Sequence, residues 1–211
     1  MAVEVEARFR AEDPATLARL ANVGGLGKAE LGPAATVDET DAYLDTEDGA
    51  LAAAGWACRL RRRGERRTIS LKGPPERASG GWLHRRPEIE GPATDERVPE
   101  AWPAGRARDA LDRLRDGRPL VERLALDQRR TERAVGVAGR RIGVLSLDEV
   151  RATHAGRPLG TFHIVELELD DAAGAGPDIL AALAADLGRL PGLVPEPRSK
   201  LERALELLRP A

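Results

Sequence analysis

Apolar and polar residues alternate along most of the chain, and this alternation predicts β-strands that have one polar face. Residues 3–10 (VEVEARFR) place every apolar side chain on one face and every charged side chain on the other. Similar runs predict strands at 56–63, 66–72, 82–90, 120–135, 140–150 and 161–170, with extended segments across 28–45 that Pro33 interrupts. Short turns separate the runs, so the pattern predicts a mainly β fold with antiparallel neighbours.

A few segments carry the signals of short helices. Asp13-Pro14 supplies an N-cap followed by proline at the first helical position. Thr46 is expected to cap a second helix, and Ser199 with Glu202 forms a capping-box pattern. The predicted helices are 14–24, 47–51, 106–115, 178–188 and 199–208.

Length and composition favour one globular unit. The chain has 211 residues, and β-barrels of about 200–250 residues commonly fold as one domain, so we expect a single domain over 1–211. Charged residues make up 32% of the chain, more than the usual quarter, which suggests that some charge lies inside the fold. The net charge is −2, so the bulk electrostatic argument for a nucleic-acid-binding protein is missing.

Cysteine and histidine offer little chemistry. Cys58 is the single cysteine, which excludes an internal disulfide and the usual structural zinc patterns and fits a cytoplasmic location. We expect Cys58 to be packed, and His84, His154 and His163 to be structural or surface residues, because they lack ligand spacing. No basic-then-apolar leader and no apolar run of about 18 residues is evident, so neither export nor a membrane partner is expected.

Three predicted strands each carry a Glu-x-Glu pair. The pairs are Glu4/Glu6, Glu88/Glu90 and Glu166/Glu168. Residues i and i+2 of a strand project to the same side roughly 6.5–7 Å apart, so each pair directs two carboxylates into one space. Crowded carboxylates take up protons unless cations compensate them. Divalent Mg²⁺ or Mn²⁺ could do so. So could the basic residues that alternation places on the charged faces of strands, which are Arg8, Arg59, Arg61, Arg63, Lys72, Arg86 and Arg129.

A strand face that carries both signs of charge cannot form a hydrophobic core. An antiparallel sheet of about eight strands can close so that this face lines a wet interior, while helices cover the apolar outer face. Such a closed barrel would form a charged tunnel, in which arginine forks could grip phosphate oxygens. The alternative is a conventional sandwich with a charged surface.

Short motifs of charged residues follow one another along essentially the whole chain. The first is Glu4-Val5-Glu6-Ala7-Arg8, and the others are Asp41-Ala-Tyr43-Leu-Asp45-Thr46, Cys58-Arg59-Leu60-Arg61, Leu71-Lys72-Gly73-Pro74, Glu88-Ile-Glu90, Leu147-Asp148-Glu149, Glu166-Leu-Glu168 and Ser199-Lys200. The first motif resembles the ExExK signature of the CYTH superfamily, the triphosphate tunnel metalloenzymes, and the others resemble further motifs of that family in the same order. The resemblance implies a tunnel barrel that hydrolyses a triphosphate with Mg²⁺ or Mn²⁺.

The resemblance also implies roles for individual residues. The metal ligands would be Glu4, Glu6, Asp148, Glu166 and Glu168. The phosphate ligands would be Arg8, Arg59, Arg61, Lys72, Arg129 and Lys200, and Glu88 and Glu90 would line the tunnel. The alternation does not decide between Arg129 and Arg130, and Arg129 is taken first. Arg8 departs from the lysine of the signature, and a fork in place of a point charge bears on catalytic efficiency and substrate choice.

The substrate stays open between several readings. Inorganic triphosphate is preferred, because no aromatic pocket for a ring is obvious: Trp102 falls in a polar loop, and Trp56 and Trp82 are expected to pack on the outer face. A thiamine triphosphatase is the second reading, and a class IV cyclase is less favoured. A noncatalytic polyphosphate- or nucleotide-binding module is an alternative of another class. The resemblance also allows a helical companion domain, and the oligomeric state is left open.

Overall fold

The computed structural model describes residues 2–77, 83–170 and 176–208. Within these residues the strands are β1 (Ala2–Ala11), β2 (Gly25–Leu26), β3 (Ala29–Leu31), β4 (Ala35–Thr46), β5 (Ala57–Arg63), β6 (Arg66–Lys72), β7 (Glu76–Arg77), β8 (Leu83–Pro92), β9 (Leu120–Val137), β10 (Arg140–His154), β11 (Arg157–Leu169) and β12 (Leu193–Pro195). The helices are α1 (Pro14–Asn22), α2 (Ala50–Ala53), α3 (Arg106–Arg115), α4 (Pro177–Gly188) and α5 (Lys200–Glu206).

Eight strands close into an antiparallel barrel. Their order is β10-β11-β1-β8-β6-β5-β4-β9, and β9 pairs with β10 to complete the circle. The closure brings distant segments into register, so that Arg8 pairs with Glu166, and Asp148 pairs with Arg130. The predicted closed barrel of about eight strands is confirmed.

The apolar strand faces point outward and are covered by helices. One cluster packs α1 and α4 against β1, β10 and β11, with Phe9, Leu145, Leu167, Leu180 and Leu187 at its centre. A second cluster packs α2 and α3 against β5 and β6, with Leu51, Ile69, Leu71, Trp102 and Leu111 at its centre. The polar strand faces are therefore left to line the interior, as the alternation predicts.

The interior is not charged throughout. Leu124 and Leu126 of β9 share the parity of Arg130, and they pack with Val150, Phe162 and Ala204 in a third apolar cluster. Ala204 belongs to α5, so this short helix closes one end of the barrel with its own apolar side. The tunnel thus changes from charged to apolar along its length.

The local signals set most element bounds. Asp13 caps α1, Ser199 and Glu202 complete a capping box at α5, and α3 spans its predicted residues. The second helix begins later than predicted, at Ala50, because Thr46 continues β4 and its hydroxyl instead accepts the Ala50 N–H at 2.8 Å.

The tryptophans have different surroundings. Trp102 lies in the loop between β8 and α3, as expected, but its ring is buried in the second cluster and its Nε1 donates to the Glu96 carbonyl at 2.6 Å. Trp56 packs against the same cluster. Trp82 lies outside the described residues. No helix among the described residues has the length and hydropathy needed to cross a bilayer.

Candidate active site

Charged side chains of both signs line the tunnel around a cavity of about 210 Å³. The cations come from six elements and are Arg8, Arg59, Arg61, Lys72, Arg86, Arg130 and Lys200. The carboxylates are Glu4, Glu88, Glu90, Glu166 and Glu168. Closure of the barrel converts the alternating strand faces into one polar enclosure.

Glu4 is held between two cations. Lys72 Nζ donates to Glu4 Oε1 at 2.5 Å, and Arg86 Nε donates to Glu4 Oε2 at 2.7 Å. Burial acts to raise the pKa of Glu4, but the charges and hydrogen bonds of Lys72 and Arg86 lower it well below its usual value. Glu4 is therefore ionised at neutral pH. The sequence analysis named Arg86 only as a cation that could compensate the carboxylates and did not count it among the phosphate ligands.

Asp148 and Glu166 share a second group of cations. Arg130 forms a bidentate pair with Asp148 at 2.7 and 2.9 Å and also reaches Glu166 at 3.0 Å. Lys200 Nζ donates to Asp148 at 2.6 Å and to Glu166 at 2.8 Å. Burial opposes ionisation, yet Arg130 and Lys200 hold the pKa of Asp148 below its usual value. Lys200, Arg8 and Arg130 likewise hold the pKa of Glu166 well below its usual value.

Arg8 connects three parts of the chain. Its Nε donates to Glu166 Oε1 at 3.2 Å, its Nη1 donates to the Arg198 carbonyl at 2.8 Å, and its Nη2 donates to Glu6. Glu6 is almost fully buried, and burial, with the like charges of Glu166 and Glu4, raises its pKa despite Arg8. The guanidinium is thus committed to protein oxygens in this structure.

Glu168 differs from the other carboxylates in this group. Its side chain is exposed to solvent, and no ion pair to it is formed among the described residues. Burial of the carboxyl by the surrounding wall and the like charges of Glu4 and Glu6 raise its pKa to about 7. The exposure implies that solvent moderates this shift. Glu168 is therefore an acidic group at the tunnel without a paired cation among the described residues.

Asp41 organises the arginines of β5. It forms a bidentate pair with Arg61, at 2.7 Å for both contacts, and it accepts from Gln128 Nε2 at 2.6 Å. Arg59 Nη1 lies 4.0 Å from the same carboxylate. Glu39 lies one alternation earlier on β4, 3.1 Å from Arg61. The sequence analysis included Asp41 only as part of a motif and did not identify Glu39 or Gln128, although all three lie on inward-facing positions of their strands.

The choice of Arg129 as a tunnel residue is wrong. Arg129 is exposed on the outer face of β9, whereas Arg130 is buried in the tunnel. Alternation along β9 puts Leu124, Leu126 and Arg130 on the same face, which is the inner one. The two leucines fit inside the barrel because α5 supplies an apolar partner there. The other predicted cations, Arg8, Arg59, Arg61, Lys72 and Lys200, all line the cavity.

Glu88 and Glu90 also lie at the tunnel, whereas Cys58 lies outside it. Glu88 Oε1 is 3.3 Å from Lys72 Nζ, and Glu90 accepts from Ser70 Oγ at 2.5 Å. Cys58 is buried in the second outer cluster, and burial raises its pKa, which fits a packed residue. His84 lies beside the tunnel, where its Nε2 is 3.0 Å from the Glu196 carbonyl.

The sequence profile of the CYTH domain matches residues 2–192. This range includes the whole barrel and all three Glu-x-Glu pairs. The chain belongs to the CYTH domain family. A comparison with curated protein sequences gave no match.

Solved structures share the CYTH barrel at low sequence identity. A Hippeastrum protein, a candidate adenylyl cyclase described as having a dominant triphosphatase activity, is 20% identical with a TM-score of 0.68, and 96% of this chain and 95% of that chain are covered. A candidate adenylate cyclase from Bacillus halodurans is 21% identical with a TM-score of 0.59, covering 96% and 98%. The Mimivirus capping enzyme triphosphatase is 11% identical with a TM-score of 0.50, covering 88% and 87%. These similarities concern the fold.

The CYTH tunnel has donors suited to a hard divalent cation. Carboxylate oxygens are the ligands that Mg²⁺ and Mn²⁺ prefer. Glu88 Oε1 is buried without a hydrogen-bond partner, and the Arg59 Nε beside it also lacks one. In residues 2–77, 83–170 and 176–208, no three Asp, Glu, His or Cys side chains are grouped to hold an ion, because Arg and Lys side chains intervene between the carboxylates. The donor chemistry fits a metal, provided that these cations turn to another anion.

Proposed function

We propose that this CYTH protein hydrolyses a phosphoanhydride bond of a triphosphate, with inorganic triphosphate as the first candidate substrate and Mg²⁺ or Mn²⁺ as cofactor. The observation that carries the proposal is the enclosure of seven cations and several glutamates around one cavity of about 210 Å³. A binder of anions alone gains nothing from carboxylates gathered in the same space. The described triphosphatase activity of the Hippeastrum protein and the name of the Mimivirus enzyme agree with the proposal.

Substrate phosphates would take over the cations that now pair with carboxylates. Arg59, Arg61, Lys72, Arg130 and Lys200 converge on the cavity from different strands and from α5. Several positive groups around a phosphate chain neutralise the charge that develops on the transferred phosphoryl group and on the leaving oxygen. Asp41 would keep Arg61 oriented in that exchange, because it holds the guanidinium at two points, through Nε and Nη2, each at 2.7 Å.

The released carboxylates would hold the divalent ion. Glu4, Glu6, Glu166 and Glu168, with Asp148, would form the donor set, and they come from the neighbouring strands β1, β11 and β10. A bound Mg²⁺ or Mn²⁺ supplies charge neutralisation on phosphate oxygens and activation of water. Glu168, which forms no ion pair among the described residues, would also be available to orient or deprotonate an attacking water.

An organic triphosphate is the second candidate, because an apolar space adjoins the tunnel. Trp56, Pro74, Leu201 and Leu205 line a cavity of about 360 Å³ that also includes Arg8, Lys72 and Arg86. A ring attached to the triphosphate could lie against Trp56 while the phosphates reach the cations. This arrangement supports an organic triphosphatase, including a thiamine triphosphatase, as the alternative to the inorganic reaction.

The proposal is tested by phosphate release from inorganic triphosphate, thiamine triphosphate, ATP and long-chain polyphosphate, with Mg²⁺, Mn²⁺ or EDTA. We expect metal-dependent hydrolysis that Glu4→Gln abolishes. The matched control is Glu149→Gln, which alters a glutamate on the outer face of β10 and should retain activity. Binding without turnover of any substrate would refute the hydrolase and favour a polyphosphate-binding module.

A further inference from the structure

Arg8 joins the first barrel strand to the segment that precedes α5. Its side chain donates from Nη1 to the Arg198 carbonyl at 2.8 Å, and its own carbonyl accepts from the Glu196 N–H at 3.1 Å. Residues 196–198 are therefore tied to one residue of β1 from both the main chain and the side chain. Ser199 follows at once as the N-cap of α5.

The tied segment leads directly into Lys200. Lys200 is the first residue of α5, and its ammonium reaches Asp148 and Glu166 inside the tunnel. The apolar contact of Ala204 holds the other turn of α5, but α5 has only seven residues. A helix this short does not hold itself together in water, so its first turn depends on the anchors at its start.

A lysine at position 8 could not make the same set of contacts. The Arg8 fork reaches Glu166, Glu6 and the Arg198 carbonyl from three different nitrogens. A lysine ammonium is one point from which its three N–H bonds radiate, without the planar spread of a guanidinium. The arginine that departs from the signature lysine therefore has a structural task that lysine cannot fully assume.

We propose that Arg8 is a positioning residue that anchors residues 196–199 and, through them, places Lys200 in the tunnel. This inference rests on the proposed function where it concerns substrate, because Lys200 is there a phosphate ligand. The anchoring itself is a property of the protein alone. The phosphate contact that the sequence assigned to Arg8 then becomes secondary to its role in holding α5.

Hydrogen exchange of α5, followed by mass spectrometry on the protein without substrate, tests the anchoring. Arg8→Lys should speed the exchange of residues 200–206 about tenfold to a hundredfold, the range for losing one hydrogen bond from a charged donor. Arg86→Lys is the matched control, because Arg86 is also a tunnel arginine but pairs with Glu4 and Glu6 rather than with the 196–198 segment. Unchanged exchange in Arg8→Lys would overturn the proposal, whatever the enzymatic result.

A second measurement separates anchoring from a general loosening of the barrel. In Arg8→Ala, added guanidinium at millimolar concentration should restore the protection of α5, while ammonium at the same concentration should not. Equal effects of the two ions, or none from guanidinium, would contradict the proposal.

A kinetic cycle then tests the connection to Lys200. If activity is established, Arg8→Lys should raise KM more than it lowers kcat, and it should change KM much less in a Lys200→Met background. Additive effects of the two substitutions would mean that Arg8 acts directly on substrate. Failure to hydrolyse any triphosphate would affect only this cycle, since the exchange result does not use substrate.

Discussion

Adjacent arginines on β9 offer a direct test of the tunnel. Arg130 faces inward and pairs with Asp148 and Glu166, whereas Arg129 is exposed on the outer face. Replacing each by methionine removes the same charge at neighbouring positions. The two variants should therefore differ only in what the side chain contacts.

The expected difference in unfolding free energy between the two variants follows from the burial of Arg130. Arg130 and Asp148 form a buried bidentate pair, and removing one partner of such a pair costs about 3–5 kcal/mol of unfolding free energy. Lys200 stays beside Asp148, so the lower end of this range is expected. An exposed substitution such as Arg129→Met should change stability by less than about 0.5 kcal/mol.

The cost of Arg130→Met should depend on pH. Asp148 has a lowered pKa in the folded protein, so its ion pairs contribute stability that is present above the unfolded pKa of about 3.9 and is lost as pH falls through the folded value. Losing Arg130 removes part of that contribution. The difference from the wild type should be full at pH 7 and should shrink as the pH approaches 3.

Urea unfolding followed by circular dichroism at pH 7 and at lower pH provides the measurement. The activity assay is run beside it, and Arg130→Met should lose most phosphate release while Arg129→Met keeps it. Comparable loss of stability in the two variants, or a larger loss in Arg129→Met, would refute the assignment of Arg130 to the inner face of β9. Leu124 and Leu126 would then also not face the interior.

Three further predictions concern separate parts of the fold. Asp45 accepts from the N–H groups of Leu51 and Ala52 at 2.9 and 3.1 Å, so Asp45→Ala should destabilise the protein by about 1–2 kcal/mol in urea unfolding, with a smaller loss in Asp45→Asn. Glu168 has a raised pKa of about 7, which means that the folded protein disfavours its charged form. The unfolding free energy should therefore decline as pH rises from about 4.3 to 7, and Glu168→Gln should flatten this part of its pH profile. His84 has a pKa lowered to about 4 by burial and by Arg8, so protonation should destabilise the fold as pH drops from about 6.5 to 4. His84→Gln should reduce that acid sensitivity, and an unchanged profile would contradict the neutral assignment of the ring.

Much of the barrel was readable from local pattern. Strict alternation in residues 3–10 identified both the strand and its two faces, because successive side chains of a strand must point to opposite sides. The Glu-x-Glu pairs located the polar interior by the same rule. The capping box of Ser199 and Glu202 marked the start of α5, since its hydrogen bonds join residues only three positions apart.

The local sequence pattern could not predict which charged side chains pair with each other. Arg8 and Glu166 are separated by 158 residues, and their contact exists only because β1 and β11 are neighbours in the closed barrel. The contacts of Glu39 with Arg61 and of Gln128 with Asp41 could not be predicted either, because they also join different strands. A single polar residue on an inward position has meaning only once the opposite wall is known.

Residues 124–130 show most clearly what the sequence determines and what only the tertiary structure decides. The sequence determined that Leu124, Leu126 and Arg130 share one face of a strand, but an apolar residue on that face fits an outer core as well as an inner one. The tertiary structure decided the matter by placing α5 inside the barrel, where Ala204 covers the leucines and Lys200 meets Asp148 beside Arg130. Alternation is a property of neighbouring residues, whereas inside and outside are properties of the closed barrel and of the helix that enters it.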